Sequence, residues 1–443
     1  MKQVFRKGLK HIVVAEAPAP MVIPNHVLVN PVYSLISSGT ELASIHDEAL
    51  IKEVAYNPSQ LSKVWDGLRV MGPGPTIAEV RAKFEEYATL GYAGAGIVVE
   101  RHPSVKGVSI GDRVAYGGEG TGHGETILAS ESLVVKVPDN VPFEHACFTT
   151  LGSIALNSIR ISEIGVGDVV AVIGLGLVGQ LVTQLAMLQG ARTIGIDLRK
   201  DRVDLARKFG PDLVLDGSVS ISDEINAFTN GLGVDCVIVA AASKSSAPCE
   251  MALEICRDRG LIVIVGAVDL SFPWNEMYLK EIRLLMSRAY GPGSYDPEYE
   301  QRGRDYPIAY VRWTEKRNME EFLRLVSEGR IDVNSLITHQ FNLEDAPRAY
   351  QVVKDPASSS LGVLLRYPES LPEPEKFTPE RRVTLPSKAA KSDLRVALVG
   401  AGNLARWAHL PSLNRIPNVT LHAILSASGA RGNTYARRFG AAY

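Results

Sequence analysis

The stretch AVIGLGLVGQ, Ala171–Gln180, decides how this chain is read. An apolar, β-branched run is closed by Gly174, Gly176 and Gly179 in a G-x-G-x-x-G pattern, and a helical pattern, QLVTQLAMLQG, overlaps its end. Each glycine has a separate task in such a turn. The first permits the tight reversal, the second lets the backbone approach a pyrophosphate, and the third lets helix and strand pack closely. The N–H groups around Leu175, Leu177 and Val178 then open a helix whose positive end faces the phosphates. The next strand-like run, TIGID, ends in Asp197. An acidic side chain at that distance accepts hydrogen bonds from ribose hydroxyls and repels a 2′-phosphate, so NAD is expected in preference to NADP. Arg199, two residues on, partly offsets that repulsion, and Gly266 in LIVIVGA joins the expected cofactor wall.

Outward from this turn the texture is α/β. VVAVIG, TIGID, LVLD, VDCVIVAA and LIVIVGA are near-continuous apolar runs separated by helical patterns such as KDRVDLARKFG. That alternation predicts a doubly wound parallel sheet covered on both faces. Upstream, HVLVNPVYSLI, AGAGIVVERH and DRVAYGG are strand-like runs between glycines and prolines, and a segment at about 47–88 shows helical spacing instead. Downstream, NMEEFLRLVSEG and LEDAPRAYQVVKD are amphipathic helices and SLGVLLRY is strand-like. The expected domains are a β-rich unit at 1–150, completed by about 305–366, and a dinucleotide unit at 151–304. A proline-rich linker at 367–392 and a further unit at 393–443 follow.

Lysine plus arginine number 47 against 49 aspartate plus glutamate, so charge gives no reason to expect nucleic acid or an acidic membrane as partner. No run of eighteen apolar residues occurs, and the N-terminus lacks a signal-peptide pattern. The four cysteines form no C-x-x-C pair. A reduced, cytoplasmic setting is expected, with a small-molecule substrate and a homodimer or tetramer as the assembly.

SIGDRVA, LVVKVPDNVPFEHACF and GLGLVGQLVTQLA resemble segments of the medium-chain dehydrogenase/reductase superfamily, the zinc alcohol dehydrogenase type. The resemblance covers about residues 1–366. It implies a GroES-like catalytic domain and a Rossmann domain with the active site between them. The chain departs from that pattern at the metal. Ser38 in LISSGTE stands where the resemblance expects a cysteine ligand, Tyr92 in LGYAGAG where it expects a histidine, and Thr149 near the third ligand. Zinc prefers thiolate, imidazole or carboxylate, so no zinc is expected. Thr40 matches the family's proton-relaying hydroxyl, and Glu41 the carboxylate that orients a zinc ligand.

With no metal, a hydroxyl or imidazole must handle the proton. Tyr92 is the first candidate, Thr40 the second and His123 in GTGHGE the third; the alternative is that Tyr92 fills space and His123 is a hydrogen-bonded loop residue. The segment SYDPEYEQRGRDYP and its surroundings resemble a zinc-lacking bacterial subgroup that acts on sugars or surface polysaccharide precursors. The expected reaction is an NAD(H)-dependent interconversion of a secondary alcohol and a ketone on a polar substrate. A zinc-free enone or quinone reductase and a non-catalytic dinucleotide-binding protein are the alternatives.

VALVGAGNLA, Val396–Ala405, repeats the glycine turn as G-x-G-x-x-A, with Gly400, Gly402, Asn403 and Leu404 at its bend. LRVALVGAGNLARWAHLPSL resembles the opening of the Gfo/Idh/MocA oxidoreductase family. The expectation is a partial Rossmann unit, an incomplete site, because only two strands and two helices are legible before the sequence ends.

Overall fold

The computed structural model describes residues 1–8, 10–44, 87–368, 379–385, 394–427 and 429–443, with the side chains of residues 40, 43 and 44 left out. The helical insertion expected at about 47–88 lies outside these residues, except that Tyr87 and Ala88 begin a strand.

The first part is β-rich. Its strands are β1 (Lys2–Lys7), β2 (His11–Glu16), β3 (His26–Ile36), β4 (Tyr87–Thr89), β5 (Ala93–Arg101), β6 (Arg113–Gly117), β7 (Ile127–Ser130) and β8 (Val134–Lys136). β2, β1 and β4 form a three-stranded antiparallel sheet. β3 is the spine of a larger sheet, and most of its residues are buried. Pro31 in its middle offers no N–H, and the β3–β5 register shifts there. A short helix, α1 (Ser38–Ser44), follows β3 directly.

Helix α2 (Thr149–Ser162) leads into the second layer. There β9 (Val169–Ile173), β10 (Arg192–Asp197), β11 (Leu213–Asp216), β12 (Val234–Val239), β13 (Cys256–Ile264) and β14 (Arg283–Met286) pair in the order β11-β10-β9-β12-β13-β14. Every pair is parallel. The order reverses at β9, and α3 (Leu177–Leu188) starts at its C-terminal end. A crevice opens at such a switch point, which is where ligands of open α/β sheets bind.

The chain then returns to the first sheet. Helices α4 (Glu315–Ser327) and α5 (Ala346–Lys354) flank β15 (Ile337–Asn342) and β16 (Gly362–Arg366). β16 pairs antiparallel with β3, and the large sheet runs β15-β16-β3-β5-β6-β8 with β7 also on β3. The β-rich unit is thus closed by residues more than 300 positions from its start. Met319 and Phe322 of α4 join Leu151 and Ala155 of α2 in one apolar core with the Rossmann sheet.

β17 (Leu394–Val399) and β18 (Val419–Leu425) form a separate two-stranded parallel sheet, followed by α6 (Gly429–Phe439). This last unit docks on the three-stranded sheet: Ala430 packs with Phe5 and Ala17, and Thr434 Oγ1 accepts the Tyr87 N–H at 3.1 Å. The described part of the 367–392 stretch is held too, since Glu380 O accepts the Ala19 N–H at 2.9 Å and Arg381 pairs with Glu100. No described helix is long and apolar enough to cross a membrane.

Candidate active-site cleft

A cleft of about 820 Å³ lies where the two large layers meet. One wall is the glycine turn after β9. Gly174 has φ +91° and its Cβ would stand 2.6 Å from Ala241 N, so only glycine fits. A Cβ on Gly176 would meet nothing within 4 Å, which leaves the turn's surface bare toward the cleft. A Cβ on Gly179 would lie 1.8 Å from Gly174 O, so its role is the close packing of α3 on the turn. Leu177, Val178 and Gly266 line the same wall. Leu175 does not: its side chain is buried in the core, and its N–H donates to Asp197 Oδ2 at 2.6 Å.

Asp197 closes the far end of the cleft. Its Oδ1 accepts the Arg199 N–H at 2.8 Å, so backbone groups on both sides fix the carboxylate where β10 ends. The Arg199 guanidinium, which could have met a 2′-phosphate, is instead held by both oxygens of Asp201 at 2.8 and 3.0 Å. Arg202 also reaches this end, and its guanidinium donates to Ser360 O. Nothing in the sequence pattern singled out Arg202. The helix that follows β10 carries it there, and the loop between α5 and β16 supplies its partner.

The opposite wall comes from the β-rich unit: Ser37, Ser38, Gly39 and Tyr92, with Leu151 and Ile154 of α2 beneath. The Tyr92 hydroxyl donates to Ser37 Oγ at 2.8 Å. Thr40 sits one residue beyond this wall in α1, and its side chain lies outside the described atoms. His123 corrects the expectation that it faces substrate. Its ring is fully buried behind Gly91, between Ser34 Oγ at 2.7 Å and Glu41 Oε2 at 3.3 Å. The polar partners came from the strand and helix on either side of it, so the loop folded inward. Ser37 was missed in the sequence, because a serine after a strand carries no pattern.

Residues 178–301 match the family described as zinc-binding dehydrogenase. Two curated relatives are a sorbitol dehydrogenase of Halalkalibacterium halodurans and a D-guloside 3-dehydrogenase of Escherichia coli. The first is 24% identical over 62% of this chain and 82% of its own. The second is 24% identical over 80% of this chain and 96% of its own. The chain is an oxidoreductase. The same fold occurs in an alcohol dehydrogenase of Escherichia coli complexed with NADH, at a TM-score of 0.61 and 17% identity, covering 83% of this chain and 99% of that one. It occurs also in a Sinorhizobium meliloti protein bound to NADP, at 0.58 and 20%, covering 82% and 98%. In this chain the bare Gly176 turn and the fixed Asp197 carboxylate fit the pyrophosphate and ribose of a dinucleotide.

Zinc does not fit the same cleft. The side chains at the expected ligand positions are the Ser38 and Tyr92 hydroxyls, and the Tyr92 hydroxyl is spent on Ser37. Thr149 is buried and donates to Ala146 O at 2.6 Å. Burial pushes the nearby Cys147 thiol well above its ordinary value, away from the thiolate that a metal needs.

In the last unit of the dehydrogenase, Gly400 adopts φ +94° after β17, as the second glycine motif requires. Gly402, Asn403 and Leu404 are all exposed. The turn is formed, but it stands at the end of a two-stranded sheet rather than at a switch point between several strands.

Proposed function

We propose that the chain is a zinc-independent, NAD(H)-dependent dehydrogenase that interconverts a secondary alcohol and a ketone on a polar, sugar-like substrate. The observation that carries this reading is the Tyr92–Ser37 hydroxyl pair on the cleft wall facing the glycine turn. A phenol in this position can donate its proton to a ketone oxygen, and the phenolate left behind can take the proton back from an alcohol in the reverse direction. The bound nicotinamide supplies the hydride exchange. Asp197 anchors the ribose and favours NAD. The relatives' names, sorbitol and D-guloside dehydrogenases, refer to hydroxyl-rich compounds, which supports the substrate class.

The test is NAD reduction over a panel of polyols and glycosides, by protein checked for metal content. Tyr92→Phe is expected to lower turnover by about 10²- to 10⁴-fold, the usual worth of a positioned acid–base group, with NADH affinity unchanged. An unaltered rate would remove Tyr92 from the chemistry. Turnover of enones with NADPH in place of polyols would replace the reading with the reductase alternative.

We assign the expected homodimer to β14. It is the outer strand of the Rossmann sheet, and all four of its residues are exposed, Leu284, Leu285 and Met286 among them. Trp274 and Tyr278 add an exposed stacked pair nearby. An exposed edge strand with apolar side chains presents unpaired backbone groups to a second strand. Leu285→Lys is expected to shift the protein to monomers in light scattering. A monomeric wild type would refute the assignment. We read residues 393–443 as the opening of a Gfo/Idh/MocA-type cofactor unit.

A further inference from the structure

Five polar side chains meet in the interior behind the Tyr92 wall. Glu41 of α1 is 3% exposed and His123 is fully buried. Glu41 Oε1 accepts the Ser37 N–H at 2.8 Å. Glu41 Oε2 accepts from His123 Nε2 at 3.3 Å and from the Tyr350 hydroxyl of α5. On the other edge of the imidazole, Nδ1 faces Ser34 Oγ at 2.7 Å, and Ser34 Oγ faces the Tyr367 hydroxyl at 2.9 Å. A carboxylate that only accepts places a hydrogen on Nε2, and in the neutral imidazole Nδ1 then accepts from Ser34.

Burying this many polar groups is costly unless every one is satisfied. An apolar filling would serve a purely structural wall as well. Among the described residues, the network reaches the cleft through the Ser37 N–H. Ser37 is the residue whose hydroxyl holds Tyr92. It also precedes α1, so the Glu41 carboxylate fixes the turn at which the cleft wall begins.

We propose that Glu41 and His123 are positioning residues for the Tyr92–Ser37 pair: the carboxylate fixes Ser37, Ser37 fixes the Tyr92 hydroxyl, and the imidazole fixes the carboxylate. The proposal rests on the reading of Tyr92 as the proton-handling group. It also explains why the return segment matters to the site, since Tyr350 and Tyr367, both after the Rossmann unit, lock the same assembly. Among the described residues, the groups near Tyr92 include Ser37 on its hydroxyl, Tyr290 from the loop after β14, and the Glu41–His123 pair behind Ser37 and Gly91.

The experiment uses the full chain labelled with ¹³Cζ-tyrosine, with the Tyr92 resonance assigned through Tyr92→Phe. Glu41→Gln and His123→Ala are expected to move the Tyr92 signal. His123→Gln, whose amide N–H can replace Nε2–H toward Glu41, is expected to restore it toward the wild-type position. In parallel, Glu41→Gln should lower kcat on the polyol panel about 10- to 100-fold, the scale of a small misplacement of a reacting group, with KM for NAD unchanged. An unmoved Tyr92 signal in folded Glu41→Gln protein overturns the proposal whether or not any substrate turns over. A wild type that is inert on the panel counts against the proposed function alone, because the spectral readout does not need turnover.

Discussion

Gly179→Ala is expected to destabilise the Rossmann unit by about 3 kcal/mol or more, and Gly176→Ala by less than about 1 kcal/mol, yet both should abolish NADH binding. The contrast follows from what each new methyl would meet. At Gly179 it would lie 1.8 Å from Gly174 O, a backbone atom on the turn itself, and no side-chain rotation relieves that contact. α3 must move away from β9, and the anion-facing helix end moves with it. At Gly176 the methyl meets no protein atom within 4 Å. The fold tolerates it, but the methyl occupies the surface that a pyrophosphate needs to touch. Thermal unfolding and NADH fluorescence titration on the same two variants check this. NADH binding by Gly176→Ala with wild-type affinity would show that the cofactor does not use this turn.

Glu315→Gln is expected to stabilise the protein increasingly as pH rises. Glu315 opens α4 and is fully buried, with Oε2 accepting from Ser294 Oγ at 3.1 Å and Oε1 without a hydrogen-bond partner. Burial, with Glu300 and Asp296 nearby outweighing the Ser294 hydrogen bond, pushes this carboxyl up to about 8. The group therefore stays protonated in the folded protein at neutral pH. In the unfolded chain it ionises near 4.5. The sign follows from that order. Below the unfolded value both states hold the proton and Glu315 costs nothing. Between it and about 8 only the unfolded state releases the proton, so stability is lost steadily as pH rises, then levels off.

Each unit of difference is worth about 1.4 kcal/mol, and with local relaxation the full loss is about 2–4 kcal/mol. Glutamine copies the protonated carboxyl and cannot ionise. The melting temperature of Glu315→Gln should stand several degrees further above wild type at pH 9 than at pH 5. A gap that is the same at both values would show that Glu315 is ionised or hydrated in place. Because the loop before α4 carries Tyr290 toward the Tyr92 wall, the same measurement probes how firmly that side of the cleft is held.

The sequence by itself determined the dinucleotide half. The G-x-G-x-x-G turn, the apolar runs and Asp197 are local features: each glycine answers to atoms a few residues away, and each buried strand shows its burial as composition. β9 to β13 and the helices between them were legible for that reason. The poor fit of Ser38 and Tyr92 to zinc was legible too, since their hydroxyls are the wrong chemistry for it wherever they point. The catalytic wall was not. Whether Tyr92 reaches a partner, whether His123 faces substrate or core, and what Glu41 holds depend on α1, the 120s loop, α5 and β16 meeting in space. They come from residues 34, 41, 123, 350 and 367, and no spacing rule links them. Tertiary structure alone decided that His123 turns inward, because a buried imidazole needs partners on both nitrogens and Ser34 and Glu41, far apart in the chain from it, meet it there. It also decided what holds the Arg202 guanidinium, since Ser360, more than 150 residues on, accepts from it.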